Sequence, residues 1–149
     1  MGYYVNTTDS TVCIPKEKLD DAYKTLVELN NHNKLKGGGS YPKPDNLPEN
    51  EPNKHSWFSW MDWNYHETCS TVEEILNQLG FETELAEEGL YINYYDNKLG
   101  DEETFFKALA PFIPDGQYIC WVREDHNQWR WLFQNGKLLH QNAIITYEE

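Results

Sequence analysis

From Gln128 to Gln134 the side chains alternate without a break, with Trp129, Trp131 and Phe133 on one side and Arg130, Leu132 and Gln134 on the other. A two-residue period with a large aromatic at every second position specifies a strand that lays one face on a core. Asn135-Gly136 follows at once, and Asn-Gly between two extended runs is a strong short-range hairpin signal. The returning strand spans Lys137 to Tyr147, with a weak point at Gln141-Asn142. The strand before it, Gln117 to Arg123, reaches Gln128 through a turn containing Asp125-His126-Asn127. The C-terminal third is therefore an antiparallel meander, and the rest of the chain must supply what covers it.

Upstream, Tyr3 to Thr8 reads as a strand, Thr8-Asp9-Ser10 as a turn and Thr11 to Ile14 as a second strand. Pro15 opens a helix where its missing N–H costs little. Leu19, Ala22, Tyr23, Leu26 and Leu29 then keep helical spacing, and the helix runs to about Asn31. Ser70-Thr71-Val72-Glu73 has the form of a capping box, with Ser70 as N-cap and Glu73 reaching back. Val72, Ile75, Leu76 and Leu79 form the apolar face of the helix that follows, and Gly80 ends it. Phe81 to Leu85 and Leu90 to Tyr95 make a hairpin turning at Glu87-Glu88-Gly89. Asp101 caps a third helix in which Phe105, Ala108, Leu109 and Phe112 point inward before Pro114 stops it.

Residues 32–56 break the pattern. Gly37-Gly38-Gly39-Ser40 and the prolines at 42, 44, 48 and 52 exclude regular structure. A stretch this long reads as a surface loop within one domain. The expected order is ββα–loop–αββαβββ. That is an α+β fold in a single domain, residues 1–149, with a mainly antiparallel sheet and about three helices on one face.

Charge then narrows the functional classes. The formal net charge is −13, while 15% of the residues are aromatic. Residues 51–100 hold ten acids against two lysines, so −8 of the −13 sits in the middle third. Such a field repels nucleic acid and anionic membranes and attracts basic protein surfaces. The N-terminal residues Met1 to Asn6 lack a basic leader and an apolar core, which points to a cytoplasmic protein. Cys13, Cys69 and Cys120 are odd in number and widely spaced, so they suggest neither a disulfide framework nor a zinc ribbon.

The first candidate surface is the aromatic run from Trp57 to Tyr65. Trp57, Trp60, Trp63 and Tyr65 would anchor a partner, as Trp and Tyr dominate interface hot spots. Asp62, Glu67, Glu73 and Glu74 would favour a cationic one. The competing reading is that these rings seal the core. A second candidate is an aromatic sheet face bearing Tyr91, Tyr95, Trp121, Arg123 and Arg130, which could stack a nucleotide-like molecule and pair its anionic group.

His55, Asp62, His66 and Glu67 are near in sequence but match no metal-ligand spacing, so a metal-assisted hydrolase ranks last. Glu124-Asp125-His126 sits on a turn whose side chains splay apart, and no nucleophile elbow, phosphate loop or dinucleotide fingerprint is present. These observations indicate a binding protein without catalytic residues, metal or cofactor. They leave a homodimer open.

Several segments carry a resemblance: Met1-Gly2-Tyr3-Tyr4, Leu99-Gly100-Asp101, Ala110-Pro111-Phe112, Gly116-Gln117-Tyr118-Ile119, Gln128 to Phe133 and Gly136-Lys137. Together, over about half the chain and mainly residues 99–145, they resemble a group of small, mostly uncharacterised bacteriophage and prophage proteins. The resemblance implies a mobile-element origin and an α+β fold; the acidic, Trp-rich surface of such a protein is then expected to act on a host or defence protein with a basic surface. It transfers no active site.

Overall fold

A computed structural model describes residues 3–30, 57, 61–62, 64–99 and 102–144. It is an α+β fold, with one seven-stranded antiparallel sheet and four α-helices among the described residues. The strands are β1 (Tyr3–Ser10), β2 (Cys13–Pro15), β3 (Phe81–Leu85), β4 (Gly89–Leu99), β5 (Tyr118–Arg123), β6 (Gln128–Gln134) and β7 (Lys137–Asn142). The helices are α1 (Leu19–Leu29), α2 (Tyr65–Thr68), α3 (Val72–Leu79) and α4 (Glu102–Leu109). Four α-helices are thus one more than the sequence suggests. The loop expected at 32–56 lies outside the described residues.

Across the sheet the order is β3, β4, β1 with β2, β5, β6, β7. The C-terminal meander forms as its turns require. Asn135 and Gly136 both take positive φ, 54° and 72°, as a two-residue hairpin turn demands. Val122 pairs Gln128, so Trp121 faces Trp129 and Ile119 faces Trp131. β7 ends at Asn142, short of the expected Tyr147.

At the N-terminus the structure differs from the expected hairpin. β1 and β2 do not pair with each other; both lie along the same edge of β4. The reason is an irregularity at Thr8, where Thr7 pairs Trp121 and Asp9 pairs Cys120. One extra residue bends β1 and detaches it from β4 for a short stretch. Hydroxyls replace the missing ladder: Tyr95 N–H donates to Thr7 Oγ1 at 3.0 Å, and Ser10 Oγ–H donates to the Ile92 carbonyl at 2.6 Å. Without them, buried backbone groups would lose partners at a cost of about 1–3 kcal/mol each. Pro15 closes β2, and a single 3-10 turn, Lys16–Lys18, precedes α1.

The cap of α3 is shifted by one residue from the expected Ser70/Glu73 pair. Thr71 is the N-cap and accepts from Glu74 N–H at 3.2 Å, while Glu74 Oε1 accepts from Ser70 N–H at 2.8 Å. Both chain positions fit a capping box, and the buried Val72 in the first turn fixes which one is used. Gly80 closes the helix in the left-handed region, φ 116°.

Helices α1, α3 and α4 cover one face of the sheet. Between the layers lie Val5, Ile14, Phe81, Ile92, Tyr95, Ile119, Trp121, Trp131 and Phe133, met from the helices by Leu26, Ile75, Leu79, Phe105, Phe106 and Leu109. The rings pack edge-on or tilted; Trp121 and Trp131 lie 4.7 Å apart at 57°. Among the described residues the other sheet face carries no helix.

Candidate functional site

The two ends of the aromatic run, Trp57 and Tyr65, lie in the core. Trp57 is 1% exposed, and its ring meets Phe105 edge-on at 5.0 Å. Its indole N–H donates to Asn30 Oδ1 at 3.2 Å. Because an indole can only donate, the Asn30 amide must turn its NH2 the other way, toward His66 Nδ1 at 2.9 Å. Tyr65 is also buried, and its hydroxyl donates to the Leu26 carbonyl at 2.6 Å. That carbonyl belongs to the last turn of α1, where helix geometry leaves acceptors without intrahelical partners. Trp57 and Tyr65 therefore hold the segment onto the end of α1. The expectation that they anchor a partner is corrected: they are core. Burial pushes the Tyr65 hydroxyl far above the ordinary phenol range, so it stays a donor. Trp60 and Trp63 lie outside the described residues.

The acidic residues of this candidate set have separate duties. Asp62 is exposed but accepts from Gln78 Nε2 at 2.9 Å and Thr68 Oγ1 at 3.0 Å, tying the segment to α3. Glu74 is engaged in the cap. Glu67 is exposed and lies 3.5 Å from His66 Nε2. Glu73 faces a cleft that the sequence alone did not disclose.

This cleft, of about 150 Å³, lies where the first turns of α1 and α3 meet the β3–β4 hairpin. Its floor is Leu19, Val72 and Leu90, and Asp20 and Glu73 stand on its rim. Leu85 at the end of β3 completes the wall while 57% exposed. An exposed leucine beside an apolar hollow, flanked by two carboxylates, suits an apolar side chain with a cationic neighbour.

The second candidate set is split by the sheet. Tyr95 and Trp121 are buried under the helices, so their expected place on a ligand-binding face is corrected. Burial raises the Tyr95 hydroxyl, with the neighbouring Glu102 carboxylate adding to it; the two groups are hydrogen-bonded. Arg123 shares the side of Trp121, and its Nε lies 3.4 Å from Asp125 Oδ2. Only Tyr91 and Arg130 remain on the open face. There the structure adds Tyr4, Tyr94, Tyr118, Cys120, Leu139 and Gln141. Arg130 spans two of them, its Cζ 5.3 Å from the centre of the Tyr118 ring and its Nε 2.9 Å from Gln141 Oε1.

The three thiols are not activated. Burial raises Cys13, Cys69 and Cys120 above the ordinary thiol range, and nearby carboxylates add to the shift at each. Among the described residues no three His, Cys, Asp or Glu side chains converge to hold a metal ion. Among the same residues no helix is long and apolar enough to cross a membrane. No family model, curated protein or solved structure matches the chain.

Proposed function

We propose that this is a non-enzymatic acidic binding protein of phage or mobile-element origin, and that it docks onto a basic surface of a host or defence protein. The observation that carries this reading is the cleft of about 150 Å³ between α1 and α3, an apolar hollow held between Asp20 and Glu73. Its occupant is an apolar side chain adjoining a Lys or Arg on the partner. The chain's net charge of −13 steers the encounter, and Leu85 and Val72 supply the contact that slows release. With Trp57 and Tyr65 in the core, the contact moves from the aromatic run to the helix starts beside it.

The test compares wild type with Leu85→Glu and with Asp20→Asn/Glu73→Gln as baits in a nuclease-treated bacterial lysate. A stoichiometric partner should be lost with the first variant. The second should bind it more slowly, with a flatter salt dependence. Equal capture by all three baits, or no partner with any, defeats the proposal.

A further inference from the structure

The open sheet face holds a cationic group that the acidic docking reading does not use. Arg130 sits at the centre of β6, half-buried, in a chain with only two arginines. Among the described residues no carboxylate lies within ion-pair distance of it. Its guanidinium is nevertheless held in place. Nε–H and one Nη2–H both donate to Gln141 Oε1, at 2.9 and 2.5 Å, and the Tyr118 ring lies alongside at 5.3 Å. A guanidinium has five N–H donors in a flat fork. Gln141 occupies the Nε/Nη2 edge, which leaves the Nη1/Nη2 edge, the pair of parallel donors that matches two oxygens of one anion.

That group borders a cleft of about 330 Å³ whose wall also includes Thr8, Cys120, Gln128 and Asn142. Thr8 reaches the cleft because the irregularity in β1 releases it from the ladder. The cleft therefore offers one fixed cation beside amide and hydroxyl groups that can both donate and accept, with Trp121, Trp129 and Ala143 as an apolar part of its wall. Asp9 limits what can enter: its Oδ2 accepts from the Tyr118 hydroxyl at 3.2 Å, so a carboxylate stands at the same end of the sheet. Its charge raises the Tyr118 hydroxyl, and Arg130 opposes it. A polyphosphate or nucleic acid would be repelled strongly by Asp9 and the net negative field; a compact ligand with one anionic group is repelled least.

We propose that this cleft binds a small polar molecule through a single oxyanion, a phosphate monoester or a carboxylate, gripped end-on by the Arg130 fork. Gln141 and Tyr118 are positioning residues that keep the fork flat and aimed, while Gln128 and Asn142 contact the body of the ligand. The site shares no lining residue with the α1–α3 cleft, so it can be removed without touching it.

The test is a titration of the ¹⁵N-labelled full chain followed by amide chemical shifts, using AMP, benzoate, inorganic phosphate and, as a neutral control, adenosine. AMP or benzoate should give saturable shifts at Cys120, Gln128, Arg130 and Gln141, and adenosine none. Saturation by AMP and phosphate assigns a phosphate ligand; saturation by benzoate assigns a carboxylate. Arg130→Gln should weaken binding at least about tenfold, the loss expected for a charge-assisted pair. Arg130→Lys keeps the charge but not the fork, and should bind more weakly than wild type while giving a native-like spectrum. No saturable shift up to about 10 mM, where even millimolar affinity shows, would overturn the proposal. So would equal shifts from adenosine, or undiminished binding by the folded Arg130 variants.

Discussion

Replacing Trp57 by alanine tests whether the aromatic run belongs to the core, on which the placement of the docking surface depends. Trp57 is 1% exposed, touches Phe105 at 5.0 Å and donates to Asn30 Oδ1 at 3.2 Å. An aromatic of this size buries on the order of 150–250 Å². At ~25 cal/mol per Å², removing most of that area forfeits about 3–5 kcal/mol, the range measured for Trp or Phe truncation in cores. A domain holds only about 5–15 kcal/mol in total. With a urea m-value near 2 kcal/mol/M, the midpoint should fall by about 1.5–2.5 M. Far-UV circular dichroism is the better probe, because five other tryptophans confuse fluorescence. Trp57→Phe separates the terms: it keeps much of the ring, loses the donor to Asn30, and should cost about 1–2 kcal/mol. A midpoint shift under about 0.5 M for Trp57→Ala would place this indole in solvent and return the aromatic run to the list of contact surfaces.

Further outcomes can be checked with ordinary stability and labelling assays. Thr71→Ala removes the side chain that accepts from Glu74 N–H and should cost about 1 kcal/mol in urea unfolding, whereas Ser70→Ala should cost only a few tenths. Gly89→Ala should prevent native folding, seen as lost amide dispersion, because the added Cβ would sit 2.1 Å from the Ile14 carbonyl oxygen in a backbone with φ 157°. Alkylation of Cys13 and Cys120 by iodoacetamide, followed by mass spectrometry, should be slower at neutral pH than for an ordinary exposed thiol. The sign follows from the raised thiol pKa at both sites: the reactive thiolate is scarce at neutral pH, and the rate should still be climbing at pH 9. A plateau below that pH would contradict the burial described.

The meander, the β3–β4 hairpin and the three longer helices were legible because local turn chemistry and side-chain period agree there. Asn135-Gly136 specifies the tight turn and Gly80 the end of α3, and neither depends on distant residues. What remained hidden was set by register. Counting from the turn, Val122 opposite Gln128 puts Trp121 beside Trp129, on the side opposite Arg130. Trp121 and Arg130 therefore point to opposite sides of the sheet by parity alone, an inference open to the sequence once the turn length is fixed. The pairing of β1 with β4 and β5 was not open in that way, since no local signal says which edge a distant strand will join.

Tyr91 and Tyr95 show why even parity has limits. Four residues apart on one strand, they should share a face, yet Tyr91 is on the open side and Tyr95 in the core. Glu82 pairs Tyr94 and Thr83 pairs Ile92, so Asn93 is an extra residue and every side chain beyond it changes face. Nothing in Asn93 or its neighbours announces that shift. It is selected by the space under α4, where Phe81 lies 4.5 Å and Trp121 5.6 Å from the Tyr95 ring and where Glu102 meets its hydroxyl. The same event frees the sheet face of one aromatic and sets the character of that face: tyrosines at one end and, across β5–β7, an arginine whose only side-chain hydrogen-bond acceptor among the described residues is an amide. In a chain of net charge −13 a held guanidinium with no counter-ion among the described residues is the exception that asks for a ligand. It arises because the three aromatics of β6 occupy the helix side and force Arg130 out on the other.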